Sequence, residues 1–336
     1  MQNFALYRLP YSDYYTEIRS DRTPIVVSSF QEIGKEEGFI IAPFDNSDRN
    51  TPIVLIRPDN IVKKPVACQK VSENDDKTVE TDADDNYKKD FSLFHSAIID
   101  GTFRKIVLSR IRHRPSKNTD YEQAFLKACH RYPRLMVMLT YTPQTGMWLV
   151  ASPEILITGD GSHLRTMALA GTMPFCDGFQ QWSRKNLEEQ HYVETYIEER
   201  IAKLSCEVVK DGPHTKRAGN LVHLCTDFRF RLHENVTVGD IIEALHPTPA
   251  VCGIPKETSR KFIISNEHSP RLYYSGFMGP VGICSETHLY VSLRCARLDE
   301  SGAYLYSGGG IMPDSDMQSE WRETEQKMNT IGNVLE

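Results

Sequence analysis

Residues 135–169 read LMVMLTYTPQTGMWLVASPEILITGDGSHLRTMAL, and the punctuation of that run decides the fold class. Leu135 to Tyr141 and Met147 to Ala151 are apolar, β-rich stretches joined by the turn Pro143-Gln144-Thr145-Gly146, which predicts an antiparallel hairpin. After Ser152-Pro153-Glu154 comes Ile155 to Thr158, and Asp160-Gly161 turns the chain into Leu164 to Leu169. The centre of the chain is therefore predicted to be a meander of strands. Outward from it, Ile25 to Ser28, Phe39 to Ala42 and Ile53 to Ile56 mark an N-terminal β layer over residues 1–72. Lys105 to Arg110 reads as a buried strand that begins on a lysine. Further strands are predicted at Leu221 to Leu224, Arg229 to Leu232, Leu272 to Tyr274, Thr287 to Leu293 and Ala303 to Tyr306. Helical spacing predicts Phe91 to Ile99, Tyr121 to Arg131, Lys185 to Ser205, Val238 to Leu245 and a helix starting near Ser315, where Ser315 and Gln318 fit a capping box. Strands and helices come in blocks rather than in strict alternation, which favours α+β with antiparallel sheets over a doubly wound parallel sheet.

The 336 residues could form one large domain or two. With 40% apolar and 25% charged residues the composition is that of an ordinary globular protein. The net charge of −6 gives no general pull toward nucleic acid or an anionic membrane, so no partner of either kind is expected. No signal-peptide pattern and no long apolar run is visible, which points to a cytoplasmic location. The eight cysteines are scattered, with no CxxC and no Cys/His cluster at zinc spacing, and each reads as a small reduced core residue. Residues 73–90, ENDDKTVETDADDNYKKD, read as an exposed acidic loop.

Charge appears where helical spacing calls for apolar side chains. At about 100° per residue, Trp321, Thr324, Met328 and Ile331 fall in one arc of the last helix, with Glu320, Glu323 and Lys327 inside it or at its edge. One reading is a solvated i,i+4 pair between Glu323 and Lys327; the other is a metal or anion site, since carboxylates are hard ligands suited to Mg²⁺. Glu189 sits at the centre of the apolar arc of the helix from 185 to 205, where Arg200 projects to the same side and could bridge to it. Just before the last helix, Gly308, Gly309 and Gly310 lack the spacing of a phosphate loop, which disfavours nucleotide binding. Placed between a strand and a helix, they permit close backbone approach, and their N–H groups could hold a carboxylate.

Eight separated pieces over roughly residues 100–336 resemble the chorismate-utilising enzymes, which include isochorismate, salicylate, anthranilate and aminodeoxychorismate synthases. They are KIVLSR (105–110), ASPEI (151–155), LAGT (169–172), Glu189 with Val193, HPTPA (246–250), YSG (274–276), LRCA (293–296) and SGGGI (307–311) with Glu320, Glu323 and Lys327. The resemblance implies a single domain over 1–336, of layered antiparallel β-sheets surrounded by helices, with 91–336 as catalytic core. It implies Mg²⁺ held by Glu189 and Glu323 with Glu320 in support. Arg294 and Tyr274 would clamp a substrate carboxylate, Lys327 and the Gly308 backbone would contact carboxylates, and Gly171 and Thr172 would line the ring pocket. His246, in the HPTPA motif, is grouped with these substrate-binding residues. Lys105 would act as general base toward water and Glu154 as general acid toward the departing hydroxyl.

Lysine at position 105 resembles the members that add water to the ring, whereas the anthranilate branch carries glutamine there. Ala170 replaces the lysine of the aminodeoxychorismate branch, and Met173-Pro174-Phe175 departs from the family's usual continuation. The resemblance thus implies an isochorismate synthase with no glutamine amidotransferase subunit; its product is expected to feed menaquinone synthesis, the commoner role, or siderophore synthesis. The alternatives are a salicylate synthase, which would go on to eliminate pyruvate, and a noncatalytic small-molecule binding protein of the same fold.

Overall fold

A computed structural model describes residues 2–66, 82–116, 119–176 and 181–335. The strands in chain order are β1 (Asn3–Arg8), β2 (Tyr14–Ser20), β3 (Ile25–Val27), β4 (Gly38–Ala42), β5 (Ile53–Ile56), β6 (Asn60–Pro65), β7 (Lys105–Pro115), β8 (Met136–Thr142) and β9 (Gly146–Ser152). There follow β10 (Ile155–Asp160), β11 (His163–Pro174), β12 (Ser205–Ala218), β13 (Leu221–Leu232), β14 (Gly253–Ile254), β15 (Phe277–Val281), β16 (Glu286–Val291), β17 (Cys295–Asp299) and β18 (Gly302–Ile311). The helices are α1 (Asp85–Ile99), α2 (Tyr121–Arg131), α3 (Arg184–Leu204), α4 (Val238–Leu245), α5 (Lys256–Asn266) and α6 (Met317–Gly332).

The four strands of 135–169 form, but not as one meander. The hairpin β8–β9 belongs to a nine-stranded antiparallel sheet ordered β14-β7-β18-β17-β9-β8-β1-β2-β6. The pair β10–β11 belongs to a second, ordered β12-β13-β11-β10-β16-β15-β4-β5-β3. Pro153 and Glu154 carry the chain from one sheet to the other. The return crossing lies beside it, where β16 of the second sheet gives way to β17 of the first through Ser292, Leu293 and Arg294. The two crossings are tied together: Val291 N donates to Glu154 O at 3.0 Å, Ala151 N to Arg294 O at 3.1 Å, and Ser152 Oγ to Val291 O at 2.6 Å.

Side-chain alternation along the strands builds the layers. Met136, Met138, Trp148 and Val150 point inward and meet Phe39, Ile41, Met278 and Tyr290 of the other sheet in a shared core. Val137, Leu139, Leu149 and Ala151 face the opposite way, onto Phe125 and Ala128 of α2 and Met328 and Ile331 of α6. The outer face of the second sheet, with Leu156, Ala168, Ala170 and Phe228, is covered by Val193 and Ile197 of α3 and Ile241 and Ile242 of α4. The α+β class and the layered antiparallel architecture follow from these packings.

Several local expectations change. The N-terminal strands do not make a layer of their own: β1, β2 and β6 extend the first sheet and β3, β4 and β5 the second, because their apolar faces complete two cores. Of the acidic 73–90 stretch, the part up to residue 81 lies outside the described residues, and residues 85–90 are the first turns of α1, capped by the Asp84 side chain on Tyr87 N. Leu272 to Tyr274 is a turn, with Leu272 and Ser275 at φ of 50° and 61°, rather than a strand. β12 and α5 were not anticipated; β12 is mostly exposed and so shows little apolar alternation. The last helix is capped by Asp316, not Ser315, whose hydroxyl instead accepts from Met312 N and donates to Glu320.

Candidate active site

A cleft of about 610 Å³, counted out to its solvent mouth, opens where the two crossings, β11, β18, α3 and α6 meet. Glu154, Gly171, Thr172, Glu189, Tyr274, Arg294, Gly308 and Lys327 all line it, so most of the candidates named from sequence are brought together. Glu154 and Arg294 come from the two crossings, where the backbone leaves both ladders. Arg294 holds a φ of 48°, a strained value for a residue with a side chain, of the kind seen at functional positions.

Glu154 is fully buried, and burial pushes its carboxyl up to about 8 against the opposing charge of Lys105 and a 3.3 Å hydrogen bond from Thr248 Oγ1. It therefore keeps its proton at neutral pH. Arg294 is equally buried, which pulls its guanidinium down to about 10; it donates to Ala218 O at 2.7 Å and to His223 Nε2 at 2.6 Å. Among the described residues it has no carboxylate partner.

Three carboxylates and three lysines share the wall between β7, α3 and α6. Lys105 Nζ, wholly buried, lies 2.8 Å from Glu189 Oε1, in an ion-pair contact that lacks hydrogen-bond geometry. Lys185 pairs with Glu320 Oε1, and Lys327 with Glu323 at 2.7 Å while donating to Gly308 O at 2.9 Å. Burial raises the Glu189 carboxyl, but Lys105 foremost, then Lys185 and Lys327, bring it below the usual carboxylate range. For Glu320, burial and the Glu323 charge push the carboxyl up against Lys185 and Ser315.

The solvated Glu323–Lys327 pair and the buried Glu189–Arg200 bridge both give way to the geometry. The Glu323–Lys327 pair exists but is largely enclosed, at 25% and 17% side-chain exposure. Glu189 does not bridge to Arg200, whose guanidinium lies over the Tyr196 ring instead. The glycine run is also different from the expected loop. Gly308, Gly309 and Gly310 are paired to Ser109, Leu108 and Val107 inside β18. Their missing side chains are what matters: a Cβ on Gly309 would stand 2.8 Å from Glu320 Oε2, and one on Gly310 2.5 Å from Glu189 Oε1 and 2.9 Å from Lys105 Cε. Gly171 earns its place through conformation, at φ +70° in a bulge of β11 that turns its N–H toward Glu189 Oε2 at 3.1 Å.

His246 is a correction. It caps the buried end of α4, packs edge-on against Phe30 and Phe277, and its Nε2 meets Pro43 O at 3.1 Å, so the amphipathic helix draws it into the core instead of the cleft. The HPTPA motif serves the cleft through Thr248 and through Ala250 at the wall. Conversely, two cleft residues were missed. His223 of β13 takes Arg294 on Nε2 and faces Gly171 O with Nδ1 at 3.0 Å, and burial foremost holds its imidazole well below the usual range, hence neutral. Lys185 could have been suspected, since it precedes Glu189 by one helical turn; His223 had no such signal. A separate trio, His214, Cys225 and Asp227, brings its donor atoms within 4.8 Å through strand register, although no sequence spacing announced it; Asp227 also lies 3.9 Å from Arg165.

Residues 57–336 match the family described as chorismate binding enzyme. The chain belongs to that family. The isochorismate synthase DhbC of Bacillus subtilis is 28% identical over 265 residues, covering 74% of this chain and 67% of that protein. The salicylate biosynthesis isochorismate synthase of Pseudomonas aeruginosa is 30% identical over 253 residues, 71% of this chain and 52% of that protein, so this chain spans only about half the length of that relative. The crystal structure of a putative 2,3-dihydroxybenzoate-specific isochorismate synthase from Bacillus anthracis superposes with a TM-score of 0.84 at 21% identity, over 99% of this chain and 96% of the other, which establishes a shared fold. No helix among the described residues of this family member is long and apolar enough to cross a membrane.

Proposed function

We propose that this protein is an isochorismate synthase that adds water at C2 of chorismate as the C4 hydroxyl leaves, with Mg²⁺ as cofactor. The observation that carries the reading is a fully buried carboxyl pushed up by burial, Glu154, in the same cleft as a buried guanidinium, Arg294, that has no carboxylate partner among the described residues. The first suits a general acid and the second a substrate carboxylate.

The carboxylates suit a hard divalent cation in their chemistry, because Glu320 Oε2 is a buried oxygen without a hydrogen-bond partner among the described residues and the Glu323 charge lies near enough to raise its carboxyl. Glu189 and Glu323 would hold the ion with Glu320 in support, and the bound ion would supply a charge for one substrate carboxylate. Arg294, steadied by His223 and Ala218 O, binds the other carboxylate, with Tyr274 beside it. Lys327 and the Gly308 strand edge close the carboxylate end, and Gly171 and Thr172 border the ring. In the reacting form Lys105 would be the free amine, released from its ion pair with Glu189, and would accept the proton of the attacking water while Glu154 hands its proton to the departing hydroxyl, so the net change is an isomerisation. The product would feed menaquinone or siderophore synthesis, as the relatives' names suggest.

Chorismate incubated with the protein and Mg²⁺, with and without chelator, is expected to yield isochorismate only in the metal-containing sample, as resolved by chromatography. Salicylate as the main product would replace this reading with a synthase that also eliminates pyruvate. Absence of any turnover would favour a noncatalytic binding protein.

A further inference from the structure

Lys185 has no part in the chemistry above, yet it reaches the centre of the carboxylate wall. It stands one turn before Glu189 on α3, and its ammonium contacts Oε1 of Glu320, a residue whose other oxygen is buried and without a hydrogen-bond partner among the described residues. Burial pulls this ammonium down, but Glu320 first, then Glu323 and Glu189, hold it above the usual lysine range. One lysine therefore feels all three carboxylates that the proposed cation would use.

The wall is balanced pair by pair: Lys105 with Glu189, Lys185 with Glu320 and Lys327 with Glu323. Such a wall attracts a dication weakly, because each carboxylate already faces a positive charge at contact distance. A dication arriving alone would leave two surplus positive charges in a poorly solvated place, and a dicarboxylate alone two surplus negative ones. Arriving together they cancel. Lys105 and Lys327 are occupied with the cleft itself, whereas Lys185 approaches from the rim, with a quarter of its side chain exposed, and can swing toward solvent without disturbing the cleft.

We propose that Lys185 is a resident counter-ion that keeps the three carboxylates assembled in the metal-free protein and that a divalent cation must displace, so that the cation binds tightly only together with a dianionic substrate. The inference rests on the metal reading above. It makes cation and substrate affinities reciprocally coupled, as linkage requires.

Calorimetric titration with Mg²⁺ alone tests it on the unmodified protein, Lys185→Met and Lys185→Arg. Removing the charge is expected to tighten Mg²⁺ by about tenfold, while arginine keeps the affinity of the unmodified protein. Titrations with chorismate present use a Glu154→Gln background so that the ligand is not consumed. There, chorismate is expected to tighten Mg²⁺ strongly with Lys185 in place and less with methionine. Should Lys185→Met not fold, Lys185→Gln takes its place in the same titrations. Unchanged or weaker Mg²⁺ binding without the charge overturns the counter-ion role and leaves the metal site standing. No Mg²⁺ binding by any variant, with or without chorismate, overturns both.

Discussion

Helix α6 carries two buried charge clusters, and they differ in how completely they are satisfied. On one side Glu325 receives Arg110 on one oxygen and Arg112 on the other, Arg110 Nε donates to Thr324 Oγ1 at 2.7 Å, and the same guanidinium lies 3.5 Å from the Trp321 ring centroid. On the other side, among the described residues, Glu320 keeps an oxygen without a hydrogen-bond partner, and across the cleft Arg294 has no carboxylate in contact. Both clusters are buried, so burial of charge does not separate structure from function here. What separates them is unsatisfied capacity: a buried polar atom without a partner calls for an explanation, and at the cleft a bound ion or substrate would supply one.

That contrast can be broken at either end. The largest effect is expected on the unsatisfied side, where Glu154→Gln or Lys105→Ala should lower turnover by about a thousandfold while circular dichroism stays unchanged. Turnover near that of the unmodified protein would make the cleft no more than a second structural cluster. On the satisfied side, Arg110→Met should cost about 3 kcal/mol of stability, because it leaves the buried Glu325 short of a partner, with no change in KM. Urea unfolding reads the first quantity and steady-state kinetics the second, and a raised KM would erase the distinction between the clusters. The smallest effect concerns pH. Glu154 is raised by burial, so it holds its proton through neutrality, and kcat should fall as pH rises through about 8. Thr248 favours the charged form through its hydrogen bond, so Thr248→Val should move that fall to higher pH, visible in the pH profile of kcat.

Much of the site was legible because helical periodicity is local. Glu189 stood out as a carboxylate at the centre of an apolar arc, and Glu320, Glu323 and Lys327 as charges on or beside another, before any partner was known. Glu154 and Arg294 were reached only through the resemblance, since a glutamate after proline and an arginine just past a strand are each ordinary in isolation. His246 misled for a related reason: the motif identified the right segment, but helix packing against Phe30 and Phe277 chose Thr248 and not the histidine to face the cleft. The glycines misled differently. Their number suggested a loop, and only the register of β18 on β7 shows that each omitted side chain clears a specific carboxylate, lysine or tyrosine.

By itself the sequence determined the elements that short-range patterns encode: the hairpin of 136–152, the long helix α3, the block order that makes the class α+β, and the carboxylates on buried helix faces. Tertiary structure alone decided that 135–169 divides between two sheets, that the two crossings bring Glu154 and Arg294 into one cleft, and that each glutamate of the wall meets its own lysine. The reason is range. Periodicity and turn chemistry act over a few residues, whereas Lys105 and Glu189, or Lys185 and Glu320, meet only after both sheets and both helices have closed on one another.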